Sequence, residues 1–308
     1  MTNDSKILDS GIDSIGSSCD WLEQRLREEG VTVHSNSRLA EGFRAVSKLH
    51  VTFLSGPVLR CSPKELYSLW TPAVGIDFLS KGVHRAWEGG LRPPKHLWKA
   101  LASGDPNVFA GAKSKQERNQ VWELLVGCLG ARFCEHVAFD EPDVVCDFKG
   151  SRVNVSMKVA YSDKNLWANA LKGFKQAKTQ SGDFDIVVVN VLELMPVHAL
   201  LKDSIEQRFT DPAALECWVK TWATKWCEGR ALAKLQADIE RQIERPMTVA
   251  FFMPILVTFG EKPMPVGVFY VHAPLTTQGR DYEFVHCLLH ACNTTLIRVA
   301  GDSVGLDC

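Results

Sequence analysis

Residues 141 to 159 constrain the fold more than any other stretch. Glu141-Pro142-Asp143-Val144-Val145-Cys146-Asp147-Phe148 leads, across Lys149-Gly150-Ser151, into Arg152-Val153-Asn154-Val155-Ser156-Met157-Lys158-Val159. The pattern predicts a β-hairpin. Successive side chains of a strand point to opposite faces. Val153, Val155, Met157 and Val159 therefore share one side, and Asn154, Ser156 and Lys158 the other. An apolar row backed by a polar row that ends in lysine is an unusual strand. Asp143 opens its partner. An acid on one strand and a lysine on the next can hold a divalent cation beside a phosphodiester.

On these residues the chain resembles the PD-(D/E)xK nuclease superfamily, the restriction-endonuclease-like fold. Pro142-Asp143 matches the first motif and Ser156-Met157-Lys158 the second. The resemblance covers about residues 114 to 192. It implies an α/β fold, a restriction-endonuclease-like mixed sheet flanked by helices. It also implies that Glu123, on the preceding helix, and Asp143 hold Mg2+ or Mn2+, with the Met157 carbonyl as a further ligand. Lys158 would orient the attacking water, and Gln176 on the following helix would join the catalytic set. The chain departs from the family at one position: Ser156 stands where the motif has its second acid. Magnesium often needs only one or two protein carboxylates, so weakened or conditional activity is expected rather than full activity. Asp147, four residues on from Asp143 and on the same strand face, is the alternative acid.

Charge around the motif is segregated. From Glu135 to Asp147 there are five acids and no lysine or arginine; from Arg152 to Gln180 there are six bases and one acid. Lys164, Lys172, Lys175 and Lys178 lie on the helix after the motif and are the expected nucleic-acid contacts. Phosphodiester cleavage needs both a cation site and fixed positive charges along the backbone. The bland reading is a solvated helix face beside an acidic turn. Formal net charge is -1, so nothing global attracts nucleic acid and any such site is local.

The rest of the chain reads as follows. Residues 1–17 are polar and expected to be disordered, without a secretory signal. Ser18 to Gly30 reads as a helix, and Ser62-Pro63 as a helix start. Residues 81 to 107 are rich in glycine and proline and read as loops. A mostly helical N-terminal domain (18–110), selecting substrate or partner, is thus expected before the nuclease-like domain (111–308). In the latter, Ser114-Lys115-Gln116-Glu117 forms a capping box. A strand is expected at Phe133–Phe139, a helix at Lys164–Gln180 and a buried strand at Phe184–Val191. A long helical insertion (about 204–245), two more strands and a helix from Tyr282 to Asn293 follow. The longest apolar run, Thr248 to Gly260, is about 13 residues with Pro254 inside, too short to span a membrane. Ten cysteines without a CxxC pair read as reduced thiols of a cytoplasmic protein.

Three further patterns carry weaker chemistry. His286 and His290 have zinc-compatible spacing, but their apolar helix favours core histidines. Trp218, Trp222 and Trp226 recur at helical spacing, which suits an apolar seam against the core, a protein partner or a homodimer, or stacking on bases. Lys81, Arg85, Arg92, Lys95 and Lys99 alternate with Trp87 and Trp98 and could grip nucleic acid. The expectation drawn from the whole is a metal-dependent nuclease acting on DNA, RNA not excluded, in restriction, repair or anti-phage defence. The alternative is a nuclease-like fold without chemistry, binding nucleic acid or protein inside a larger complex.

Overall fold

The computed structural model describes residues 17, 19–54, 63–104, 108–109, 116–141, 143–228, 237, 241, 245–260, 264–276 and 279–296. The expected tail and Pro142 of the first motif lie outside these. A six-stranded mixed sheet runs β1 (His136–Ala138), β2 (Val144–Phe148), β3 (Ser151–Val159), β4 (Phe184–Asn190), β5 (Met247–Phe259), β6 (Met264–Thr276), in sequence order. The outer pairs are antiparallel; β3, β4 and β5 are mutually parallel. Helices cover both faces. The described helices are α1 (19–28), α2 (Arg38–Leu54), α3 (Pro63–Glu88), α4 (Lys95–Ser103), α5 (Gln116–Gly130), α6 (Asp163–Lys178), α7 (Val197–Gln207), α8 (Pro212–Glu228) and α9 (Arg280–Leu296).

The hairpin forms as its sequence suggests. Phe148 pairs with Ser151, so Lys149 and Gly150 are a two-residue loop. Both have positive φ, 51° and 71°, which is the type I′ geometry whose twist matches the strands it joins. On β3 the alternation holds. Val153, Val155, Met157 and Val159 join one apolar layer with α5, α3 and α9. The other layer packs Leu166, Ala170 and Phe174 of α6 and Leu215, Val219 and Ala223 of α8 on Val187, Val189, Phe251 and Ile255. The central strands are covered on both sides, so they read as continuous apolar runs. Pro254 falls inside β5, yet β4 ends its pairing at Phe252. The missing amide therefore costs no ladder bond on that side.

Several expectations change here. Residues 81–107 are not mainly loop: α3 continues through Gly82 to Glu88, and α4 occupies 95–103. A boundary was expected near residue 110, but one apolar core joins Leu22, Leu39, Phe78 and Phe109 to Leu125, Met157 and Phe284. The expected strand at 133–139 shrinks to His136–Ala138, because Phe133 leaves the sheet to pack edge-on to Phe148 and Phe284. The expected helical insertion is seen as the end of α7 and as α8 from Pro212, and residues 229–236, 238–240 and 242–244 lie outside the described residues. Arg208 ends α7 in the left-handed region at φ 51°, and Asp211 accepts from Ala213 and Ala214 to start α8.

Candidate active site

α6 is fixed over β3 at three points. Ser162 caps its start, its hydroxyl accepting from the Asn165 amide at 3.2 Å. Asn169 Nδ2 donates to the Val159 carbonyl at 2.7 Å. Arg245 Nη2 donates to the Ala177 carbonyl at its end. Between these points Gly173 lets the helix approach closely: a Cβ there would lie 2.6 Å from Val187 Cγ1 and 3.5 Å from both Lys158 Cγ and Ser156 Oγ. The polar row of β3 is therefore not an open wall. Asn154 and Ser156 are fully buried and Lys158 is buried beneath α6.

Within that layer, the residues picked from the sequence converge. Asp143 stands just ahead of β2, and its Oδ2 accepts from the Met157 amide (2.6 Å), Lys158 Nζ (3.0 Å) and Ser156 Oγ (3.2 Å). Lys158 Nζ also donates to Ser156 Oγ and to the Met157 carbonyl, both at 2.8 Å. Gln176 Nε2 reaches Asp143 Oδ1 at 3.4 Å and Glu141 Oε2 at 3.2 Å. Ser156 Oγ lies 3.4 Å from Gln176 Oε1. One aspartate oxygen is thus crowded with donors, while the other has a single long contact.

Glu123 projects from α5 into the same electrostatic environment. Burial, then the Asp143 charge, pushes its carboxyl up to about 7 from an ordinary 4.5; Lys158 pulls it down and Glu141 pushes it up. Desolvation and like charge both disfavour the ionised form, and here they outweigh the lysine. Asp147, the alternative acid, sits opposite His136 and Arg152 at the turn end of β2. At about 3.3 Å per residue that is roughly 13 Å along the chain from Asp143, and it joins none of these bonds.

Comparison with family models, with curated proteins and with solved structures finds no match for this chain. The site is therefore read from its own chemistry. Asp143 Oδ2, Ser156 Oγ and the Met157 carbonyl are hard oxygen donors that already converge on one cation, the Lys158 ammonium. Such donors suit Mg2+ or Mn2+. Among the described residues, however, no group of three or more His, Cys, Asp or Glu is placed to hold a metal ion.

The basic residues divide. Lys164, Lys172, Lys175 and Lys178 are all exposed. At 3.6 residues per turn, Lys172 lies one turn before Gln176 on the same edge of α6. Lys164 and Lys175, eleven residues apart, share the outward face. Lys178, two residues past Gln176, points to the opposite edge. The N-terminal set is not one surface: Lys81 is bound to Asp77 at 2.6 Å, Trp98 is fully buried, and Arg92 stacks on the Trp87 ring at 4.0 Å. Trp218, Trp222 and Trp226 are half-buried against the second apolar layer. His286 is exposed rather than in the core, and lies 6.2 Å from the Tyr282 ring. None of the eight described cysteines forms a disulfide. No described helix is long and apolar enough to cross a membrane.

Sequence reasoning missed Glu141, Gly173 and Arg245 as parts of this region. Glu141 had a signal, lying two residues before Asp143. Gly173, mid-helix, marks a close approach. Arg245 had none, because its partner Asp185 is 60 residues away.

Proposed function

We propose that the chain is a nuclease of the restriction-endonuclease-like type, acting on DNA phosphodiesters with Mg2+ or Mn2+ and active only conditionally. The observation that supports this reading is the meeting of Asp143, Ser156, Lys158 and Gln176 in one bonded cluster, with the charge of Glu123 coupled to it. These residues come from three separate elements, α5, β3 and α6, and from the loop before β2, and structural need alone does not require them to meet.

Asp143, the Met157 carbonyl and Glu123 are the groups that would hold the cation. A bound cation would supply Lewis acidity toward the phosphoryl oxygens and acidify a water ligand. Asp143 is oriented for this by the Met157 amide, which fixes one carboxylate oxygen. Lys158 offers a positive charge within the same pocket, placed to stabilise charge that builds on a reacting phosphate. Glu123, whose carboxyl burial and the Asp143 charge push up to about 7, would be drawn into its ionised form by a bound cation and serve as a ligand. Lys172, next to Gln176, and Lys164 and Lys175 on the outward face provide phosphate contacts. A half-buried aromatic stripe along α8 leaves room for a partner or a second copy at Trp218, Trp222 and Trp226.

A second reading is favoured by one observation. The single charge of Asp143 is already matched by Lys158, and Ser156 adds none. A chain that only binds nucleic acid or a protein would look like this too. Cleavage of plasmid and of DNA and RNA oligonucleotides with Mg2+ and Mn2+, beside Asp143→Ala, separates the two. Metal-dependent cleavage lost in the variant supports the nuclease. No cleavage of any substrate by the wild type leaves the binding module.

A further inference from the structure

The ammonium of Lys158 has three donors, and three oxygens receive them: Asp143 Oδ2 at 3.0 Å, Ser156 Oγ at 2.8 Å and the Met157 carbonyl at 2.8 Å. Its side chain is only 9% exposed. Nothing on the ammonium is left over for a water or a phosphate. The oxygens it occupies are the same hard donors that a divalent metal would need. With a carboxylate at position 156 the pocket would hold two negative charges beside Asp143's lysine partner, and one would remain to attract a metal. With Ser156 the bonded triad itself is neutral, one aspartate against one ammonium, and any further negative charge for a metal comes from Glu123 and Glu141 beside it. A dication placed on these oxygens would meet a like charge with no water between them.

From this geometry we infer that Lys158 is the resident cation of the pocket. A divalent metal enters only when a nucleic-acid phosphate draws the ammonium off Asp143, Ser156 and Met157. Metal and nucleic acid then bind cooperatively, with Lys158 as the coupling element. The inference rests on the nuclease-like reading, and it supplies the condition on activity that reading leaves open. A phosphodiester oxygen is an anionic acceptor and can replace Asp143 as the partner of Lys158. Once the ammonium turns to it, Asp143 Oδ2 and the Met157 carbonyl are released together. By linkage, the factor by which nucleic acid tightens metal equals the factor by which metal tightens nucleic acid. Removing the ammonium should therefore create metal affinity, rather than leave it unchanged.

The test is Mn2+ binding followed by electron paramagnetic resonance, which reads metal uptake without cleavage. Mn2+ is titrated alone and with a short DNA duplex whose phosphorothioate linkages resist hydrolysis. The wild type should bind Mn2+ about tenfold or more tightly with the duplex than without it, a coupling of ordinary size. Lys158→Met should bind Mn2+ tightly without the duplex and lose the dependence on it. Should Lys158→Met not fold, Lys158→Gln retains a polar contact to Asp143 without the charge and should behave the same way. Asp143→Asn should abolish uptake in every case. Equal Mn2+ affinity of the wild type with and without duplex would overturn the inference. So would a folded Lys158 variant that gains no metal, or a wild type that takes up no Mn2+ with the duplex present. The two readings fail separately. A wild type that cleaves DNA while binding Mn2+ independently of duplex keeps the nuclease and removes the gate. A Lys158→Met that gains Mn2+, beside a wild type that never cleaves, keeps the gate and removes the nuclease.

Discussion

Two carboxylate–cation pairs, one buried and one partly exposed, lie on the same face of the sheet, and they are built differently. Asp185 of β4 is 1% exposed and accepts Arg245 through both oxygens, at 2.7 and 2.5 Å, with Asn154 as a third donor at 3.2 Å. The remaining Arg245 contacts go to the Gly182 and Ala177 carbonyls. Both Asp185 oxygens are engaged, although the buried Asn154 Oδ1 has no hydrogen-bond partner, and the pair ties the end of α6 to the sheet. Asp143 is 20% exposed and takes a single lysine. Its donors crowd one oxygen, the other is nearly idle, and Glu123 sits nearby in a state burial makes uncomfortable. A planar guanidinium locks a carboxylate in two places, whereas an ammonium is a point charge that can turn away. The first pair is a clamp; the second is arranged to exchange partners.

The comparison breaks first on stability. Arg245→Ala would leave Asp185 buried without a counter-charge, which typically costs about 3–5 kcal/mol. Chemical denaturation should show that loss, whereas Lys158→Ala, beside a more exposed carboxylate, should cost clearly less. A larger loss at Lys158 would reverse the two roles. Activity should sort the other way. Lys158→Ala should lower cleavage by on the order of a hundredfold or more, the usual effect of removing a positioned charge. A folded Arg245→Lys should keep most of it, and rates under saturating substrate check this.

The clamp and the exchanging site were not equally legible. The exchanging site lies in a local pattern: alternation on β3, an acid opening the partner strand, a lysine two residues past Ser156. Period and spacing set Asp143, Ser156 and Lys158 on facing strands, and the resemblance to the nuclease superfamily is what grouped them with Glu123 and Gln176. Its burial was not legible, because it depends on Gly173 letting α6 settle on Ser156 and Lys158, a contact between elements. The clamp has no local signal, since Arg245 follows α8 and a stretch of undescribed chain. The order of helix, three strands, helix and strand was readable from the motif region. The N-terminal helices were misread at Gly82, which packing against Leu125 holds in α3 against its weak helix propensity.

Glu123 sharpens the comparison through pH. Its folded-state value is raised from 4.5 to about 7. Between those values the folded chain binds more protons than the unfolded one. Stability from this group is fully present below about 4.5 and falls as pH rises through about 7. Melting temperature should therefore decline over that window in the wild type and decline less in Glu123→Gln. An identical slope in Glu123→Gln and wild type would remove Glu123 from the pocket's electrostatics.

The smallest expected effect concerns which lysines of α6 belong to the exchanging site. Lys172 lies one turn before Gln176 on the site edge, and Lys178 lies across the helix. Each phosphate contact releases condensed counterion, so losing one should reduce the slope of log affinity against log salt by about 1. Lys172→Ala should show that reduction, and Lys175→Ala, on the outward face, a partial one. Lys178→Ala should show none, because its edge faces away from Gln176 and Asp143. Fluorescence anisotropy of labelled duplex over a salt series measures all three. Equal slopes for Lys172→Ala and Lys178→Ala would mean that nucleic acid does not approach along the Gln176 edge. The basic helix would then be a solvated face, and the phosphate that is meant to draw Lys158 from Asp143 would need another route to the pocket.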